Sequence, residues 1–158
     1  MRKEIEWIWQ EFEQITGPQM HEILRLRQDI FIVEQKCLYT DADTLDASSL
    51  HLSGRDATGK VVVYARLCFP GSRYAEPSIG RLLTMKGRRG AGLARYAVNL
   101  CIEKAVAEWQ SRSVRISAQL YLRDFYTGIG FTEISEIYDE DGINHIDMII
   151  DLKGLKYQ

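Results

Sequence analysis

The order of hydrophobic and polar residues divides the chain into short stretches of two kinds. Some stretches alternate apolar and polar residues, as half-buried strands do, and others repeat apolar residues at helical spacing. Alternation and β-branched residues predict strands at residues 7–12, 51–55, 60–69, 79–85, 114–120, 131–138 and 143–152. Helical spacing predicts one helix that begins near Pro18, one from Leu93 to about Trp109, and a short one at residues 124–129 that Gly130 ends.

This order of elements indicates a mixed α/β fold. A helix of crossover length separates the strands at 79–85 and 114–120, so we expect these two strands to be adjacent and parallel. Residues 33–46 are polar and turn-rich, and the chain shows no internal repeat, low-complexity segment or linker. The sequence therefore predicts a single α/β domain over residues 1–158, with helices flanking one mixed sheet.

Composition and charge exclude several classes of protein. The chain has 158 residues, of which 46% are hydrophobic and 27% charged, and its formal net charge of −2 gives no field that would attract nucleic acid. No apolar stretch is long enough to span a bilayer, and acidic residues stand where a signal peptide needs apolar ones, so we expect a cytoplasmic protein without membrane partners. Cys37, Cys68 and Cys101 are scattered without metal-binding spacing, so we expect no metal site.

The clearest chemical signal lies between the strand at 79–85 and the helix that follows it. Its residues are basic or mostly small: Arg88, Arg89, Gly90, Ala91, Gly92, Leu93 and Ala94. Glycines let the backbone approach a ligand closely, and the first amides of a helix attract anions, so a pyrophosphate fits this turn. The turn lacks the ending of a Walker loop and has Arg95 where a dinucleotide fingerprint has a small residue. It matches R-x-x-G-x-A instead, and a plain strand–helix turn with solvated arginines is the alternative.

With this motif the chain resembles the GNAT superfamily of acyl-coenzyme A-dependent N-acyltransferases, in which R/Q-x-x-G-x-G/A follows the fourth strand and opens the third helix. Residues 118–131 are similar to the family's fifth strand, fourth helix and Tyr-x-x-x-Gly-Phe ending. The whole chain also resembles the ElaA-type branch of the family. The residues that carry this closer match are Leu26, Arg27, residues 31–35, Tyr39, Asp43, Asp46, His51, Gly80, Arg81, Arg89, Gly90, Ala118, Gln119, Phe125, Tyr126, residues 141–143, His145 and Met148.

The resemblance implies parallel fourth and fifth strands that splay apart, and N-acetyltransferase activity with acetyl-coenzyme A as acyl donor and no metal. It also implies which residues bind the donor. These are Leu82, Leu83 and Thr84 on a bulged fourth strand, the turn residues Arg88 to Ala94 named above, Gln119 and Tyr126. Many family members have Asn at the end of the fifth strand, where this chain has Ala118 and Gln119.

Acetyl transfer to an amine needs a neutral amine, a proton for the leaving thiolate, and reactants held together. Tyr126 is the candidate acid, and aromatic packing between Phe125 and Phe131 is the other interpretation of this residue. The candidate bases are Glu34, His51, His145, Asp43 and Asp46. Glu34 follows an apolar run, so we expect a partly buried carboxylate with a raised pKa. Each base could instead form a salt bridge or a structural hydrogen bond, and the acids could also hold a cationic amine.

The acceptor implied by the resemblance is a primary amine of a small molecule or a peptide, and a homodimer is compatible with it. Two other functions use the same features. A non-catalytic acyl-coenzyme A sensor would keep the basic turn and need no acid at Tyr126. An acyl-homoserine-lactone synthase would share the fold and require a tunnel for the acyl chain.

Overall fold

The structure is a computed structural model that describes residues 4–153. It contains three α-helices, α1 (Gly17–Arg27), α2 (Leu93–Trp109) and α3 (Arg123–Thr127), in that part of the chain. The strands are β1 (Glu6–Glu11), β2 (Ser49–Arg55), β3 (Val61–Cys68), β4 (Ser78–Thr84), β5 (Ser113–Gln119), β6 (Thr132–Glu133), β7 (Tyr138–Glu140) and β8 (Ile143–Asp151). No helix among the described residues is long and apolar enough to cross a membrane.

The strands form one mixed sheet. Its order is β1-β2-β3-β4-β5-β8-β6, and β7 also pairs with β8. Strands β4 and β5 are parallel, as predicted, and α2 provides the crossover between them. They pair at Ser78 opposite Arg115, close to where both strands begin, and their C-terminal ends diverge. The predicted α/β fold with splayed parallel strands is therefore confirmed.

A bulge on β4 contributes to this divergence. Leu83 pairs with Tyr64 on β3 and Gly80 pairs with Arg66, so two residues of β4, Arg81 and Leu82, face one residue of β3. Arg81 has a left-handed φ of 51°, a conformation that bends the strand at this point.

Apolar side chains cover both faces of the sheet. On one face, α2 packs against β3 and β4, and its residues Ala97 and Cys101 share one buried cluster with Val114 and Ile116 of β5. On the other face, Ile23 of α1 packs with Ile30, Phe31 and side chains of β3 and β4. Thr16 caps α1, since its hydroxyl accepts from the Gln19 amide at 3.3 Å and the Gln19 side chain accepts from the Thr16 amide at 3.0 Å.

Two predicted stretches differ in detail. Residues 33–46 are not only turns, because α1 continues as a π-helical segment (Gln28–Glu34) and a 3₁₀ turn (Thr44–Ser48) precedes β2. The strand predicted at 131–138 is split into β6 and β7, which pair with β8 in different registers. The Ser135 hydroxyl accepts from the Asp147 amide between them at 2.9 Å, so this break is held by a side chain.

Candidate active site

Two adjoining cavities lie where β4 and β5 separate. The first, of about 540 Å³, is lined mostly by apolar side chains of β4, α2 and α3, and we call it the apolar cavity. The second, of about 630 Å³, is lined by polar and charged residues of β5, the β7–β8 hairpin and the segment before β2, and we call it the polar cavity. Gln35, Leu82, Tyr121 and Leu122 contribute to the walls of both. The cavities therefore meet beside the β4 bulge.

The glycine-rich turn forms one end of the apolar cavity. Arg88, Arg89, Gly90, Gly92, Leu93 and Ala94 line it together with Leu82, Leu83 and Thr84 of β4. Ala91 packs against the core instead, and Gln119 and Tyr126 line the polar cavity. Gly90 has a φ of 85°, and a side chain built there would meet no atom within 4 Å, so the turn leaves open space above its backbone.

Arg89 is paired with Glu34 across the mouth of the apolar cavity. Its guanidinium donates to both carboxylate oxygens of Glu34, at 2.5 and 3.0 Å, and to the Thr84 carbonyl at 3.0 Å. The hydrogen bond from Arg89 holds the pKa of Glu34 below its ordinary value. The expectation of a partly buried Glu34 with a raised pKa is wrong, because the residue ends the π-helical segment on the surface and meets a cation.

Tyr126 lines the polar cavity and is otherwise packed among aromatic rings. Its ring contacts Phe125 and Phe131 edge-on, with centroids 5.0 and 5.6 Å away, and the residue is 6% exposed. Burial raises the pKa of Tyr126 well above its ordinary value. The phenol therefore keeps its proton at neutral pH. Tyr126 both packs between aromatic rings and lines the polar cavity, so its two interpretations are compatible.

His51 lies outside both cavities. It is 1% exposed, and its two ring nitrogens lie 2.7 Å from the Tyr64 hydroxyl and 2.9 Å from the Asp46 carbonyl. Burial lowers the pKa of His51. One nitrogen joins β2 to β3 and the other joins β2 to the 3₁₀ turn before it, so the structure does not bring this candidate base to Tyr126.

The acids before β2 belong to a network of ion pairs. Buried Arg27 donates to Asp46 and Asp41, each at 2.8 Å, and buried Arg66 donates to Asp43 at 2.6 Å and Asp46 at 3.0 Å. Burial alone would raise the pKa of Asp46, but hydrogen bonds from Arg27 and Arg66 outweigh it and lower that pKa. Asp46 therefore has a structural role as the ion-pair partner of both arginines.

Arg81 joins this network to the bulge. Its side chain pairs with Asp41 at 2.8 Å and Asp43 at 3.2 Å, and lies over the Tyr39 ring, 4.8 Å from the centroid. Asp43 still lines the polar cavity, but two arginines neutralise it, which leaves little charge for an amine substrate. The segment before β2 is therefore tied to the bent part of β4.

His145 stands in the polar cavity. Its Nδ1 lies 2.8 Å from the Ile143 carbonyl oxygen, and its Nε2 lies 3.6 Å from a carboxylate oxygen of Glu140. The ring stacks on Tyr138 with centroids 6.0 Å apart. Of the five candidate bases, His145 and Asp43 line this cavity together with Tyr126.

Ser117 lines the polar cavity and was missed from the sequence, and it belongs to a hydrogen-bonded group of residues beside that cavity. Ser117 contacts the Tyr138 hydroxyl, which donates to Asp147 at 2.6 Å, and Arg115 donates to the other oxygen of Asp147 at 2.6 Å. Ser117 and Gln119 occupy alternate positions of β5, opposite to the buried Ile116 and Ala118. That alternation was the signal that could have placed Ser117 beside the predicted Gln119 on the cavity face.

Comparisons with known proteins agree with this geometry. The family described as "Acetyltransferase (GNAT) domain" matches residues 31–152. The chain is 52% identical to UPF0039 protein sll0451 from Synechocystis over 146 residues, which cover 92% of this chain and 95% of that protein.

Two solved structures are similar as well. An acyl-CoA N-acyltransferase from Pseudomonas aeruginosa has a TM-score of 0.86 at 32% identity, covering 92% of this chain and 99% of that one. Escherichia coli ElaA has a TM-score of 0.85 at 30% identity, covering 93% and 99%. The chain therefore belongs to the GNAT acetyltransferase family, in its ElaA-type branch, and is an acyltransferase.

Proposed function

We propose that this protein transfers an acetyl group from acetyl-coenzyme A to a primary amine by direct attack, with both reactants bound at once. The observation that carries the proposal is the meeting of the two cavities at the β4 bulge. Two molecules bound in adjoining spaces can react at the shared wall, and holding them together supplies much of the rate.

The residues of the apolar cavity fit an acyl-coenzyme A donor. Arg88, Arg89 and Arg95 line the end formed by the glycine-rich turn, where the helix dipole of α2 also favours an anion. The Thr84 hydroxyl, on the wall of this cavity, has no hydrogen-bond partner among residues 4–153, so it is available to a polar arm. When bound, acetyl-coenzyme A supplies a thioester whose carbonyl carbon an amine can attack.

The β4 bulge is proposed to offer backbone groups to the ligand, and Tyr126 to act as the acid. Arg81 and Leu82 stand outside the register with β3, so this part of β4 is where backbone groups can serve a ligand. Tyr126 is the proposed acid, since its buried phenol is protonated at neutral pH and lines the polar cavity beside the shared wall. The polar cavity is where we place the acceptor amine, which belongs to a small molecule or a peptide.

A thiol-release assay tests the function. Acetyl-coenzyme A would be incubated with polyamines, amino acids, aminoglycosides and peptides, and each product identified by mass spectrometry. Direct attack predicts initial-rate lines that intersect when both substrates are varied. Parallel lines would indicate a covalent acetyl-enzyme and contradict the proposed mechanism. Tight donor binding without transfer to any amine would favour a sensor, and a preference for long acyl chains would favour a lactone synthase.

A further inference from the structure

We infer that His145 is the general base that neutralises the acceptor ammonium, and that Glu140 stabilises the imidazolium so formed. This inference rests on the proposed function and names the charge state of its substrate. The acceptor class is a basic primary amine that arrives protonated. Both residues line the polar cavity, where the acceptor is placed, and neither lines the apolar cavity proposed for the donor.

The tautomer of His145 follows from its backbone contact. A carbonyl oxygen can only accept a hydrogen bond, so the 2.8 Å contact with the Ile143 oxygen requires a proton on Nδ1. In the neutral ring Nε2 then carries the lone pair. His51 shows the opposite arrangement, because its Nε2 faces the Asp46 carbonyl at 2.9 Å and must be the protonated nitrogen.

The fold places this lone pair near the reaction. His145 pairs with Gln119, the last residue of β5, at the end where β5 has moved away from β4. Its side chain is 12% exposed and lines the same cavity as Tyr126. The proposed base and acid therefore reach one cavity from β8 and from α3.

Glu140 gives the ring its charge partner. Its carboxylate oxygen is 3.6 Å from Nε2, which is too long for a good hydrogen bond and short enough for an ion pair once the ring is protonated. An incoming ammonium can bind beside both groups and donate to Nε2, while the carboxylate, whose other oxygen lies 3.7 Å from Arg73, attracts its charge. The Glu140 carboxylate thus stabilises the ammonium before the proton moves to His145 and the imidazolium afterwards.

Protons and bonds balance in this scheme. The ammonium nitrogen gives one proton to Nε2, and its freed electron pair attacks the thioester carbon. The C–N bond forms, the C–S bond breaks, and the nitrogen loses its second proton to solvent while the departing sulfur takes one from Tyr126. Solvent returns a proton to the phenol and removes one from His145. The products are an N-acetyl amine and a free thiol, with one proton released.

Other charged and titratable groups surround His145. Tyr138 stacks on the ring from β7, and Asp141, Arg73 and Tyr121 line the same cavity. A pH profile alone would mix these groups. The test therefore compares two acceptors that differ mainly in whether they need deprotonation.

The kinetic test uses ethylamine and 2,2,2-trifluoroethylamine, whose fluorines leave its amine largely unprotonated near neutral pH. His145→Asn keeps a donor for the Ile143 carbonyl and removes the base. For ethylamine we expect kcat/KM to fall roughly 10²- to 10⁴-fold, and for the fluorinated amine less than about tenfold. Exposed His21 on α1 supplies the control, since His21→Asn should change neither rate.

Two further results decide the inference. Equal losses for both amines would mean that His145 only shapes the cavity, and would overturn it. ¹⁵N NMR of the protein without substrate, with the three histidines assigned by substitution, should show an unprotonated Nε2 at His145 and a protonated Nε2 at His51. A protonated Nε2 at His145 would also overturn it. Failure of the parent protein to acetylate either amine or any member of the panel would refute the proposed function, and the NMR result would still stand as a separate observation.

Discussion

The two cavities share a wall but are built differently. Most of the apolar cavity comes from one stretch of chain, residues 82–95, and the charged side chains on its wall are the arginines Arg88, Arg89 and Arg95. The polar cavity draws on separate parts of the chain, among them the segment before β2, the loop around Arg73, β5 and the β7–β8 hairpin, and mixes acids with bases. This difference suits a donor that every family member shares and an acceptor that each member selects. Substitutions in one cavity should therefore spare the function of the other.

Tyr126→Phe should give the largest effect. The substitution keeps the ring that packs on Phe125 and Phe131 and removes only the hydroxyl. If the phenol protonates the departing thiolate, single-turnover acetyl transfer should slow by roughly 10² to 10⁴. Donor affinity measured by calorimetry should hardly change, because the proton is needed in the transition state. Transfer at the parent rate would remove Tyr126 from the mechanism.

Asp46→Asn should have the next largest effect, on stability. Asp46 accepts from two buried arginines, so the change leaves their charges with fewer partners and should cost about 3–5 kcal/mol of unfolding free energy. The parent should also lose stability in acid, since the lowered pKa makes this contribution complete above the carboxylate's unfolded pKa and lost as pH falls through the folded one.

Urea unfolding at several pH values would measure both effects. Glu108→Gln is a matched control, because it breaks the surface pair between Lys104 and Glu108 and should cost less than about 0.5 kcal/mol. If Asp46→Asn is no more harmful than this control, the network before β2 is not what holds the wall of the polar cavity.

Arg89→Ala should act on the apolar cavity. Loss of a charged donor to the pyrophosphate should weaken acetyl-coenzyme A binding by about 1–3 kcal/mol. The free energy of unfolding should move little, because Arg89 is an exposed residue whose pair with Glu34 lies on the surface. An unchanged affinity in calorimetry would show that the pyrophosphate binds elsewhere.

Glu34→Gln should have the smallest effect, in the opposite direction. In the free protein the carboxylate occupies the guanidinium of Arg89, and a pyrophosphate must compete with it. Removing the charge should tighten donor binding severalfold. The rate of acetyl transfer should be unchanged when donor and amine are both saturating. Weaker binding, or a rate lost to the extent expected for a missing base, would give Glu34 a role in the polar cavity instead.

The same contrast explains what the sequence could predict. The glycine-rich turn, proposed to bind the pyrophosphate, depends on adjacent residues, such as Arg89, Gly90 and Gly92, whose local geometry is set by the strand and helix around them. The sequence motif was therefore enough to predict that this turn lines a ligand cavity. The position of Tyr126 could be predicted as well, because a short helix and Gly130 fix it after β5.

The hydrogen-bond and ion-pair partners of the candidate bases could not be predicted in this way. Glu34 meets Arg89 across 55 positions of sequence, and Arg66 meets Asp43 across 23, so tertiary folding decides whether an acid is free. His51 and His145 look alike in the sequence as single histidines on strands. Only their neighbours, the Asp46 carbonyl for one and the Ile143 carbonyl for the other, assign opposite tautomers to them.

The pairing of β4 with β5 at Ser78 and Arg115 has a consequence for the evolution of this enzyme. Backbone hydrogen bonds fix the spacing of strands along a continuous ladder, but past this point the gap between β4 and β5 holds the two cavities and is bounded by side chains. Leu82 and Leu122 stand on the wall common to both cavities. Smaller residues there would admit a longer acyl group without changing the strand order. The preferred length of the acyl chain can thus change by single substitutions, while the glycine-rich turn proposed to bind the donor stays as it is.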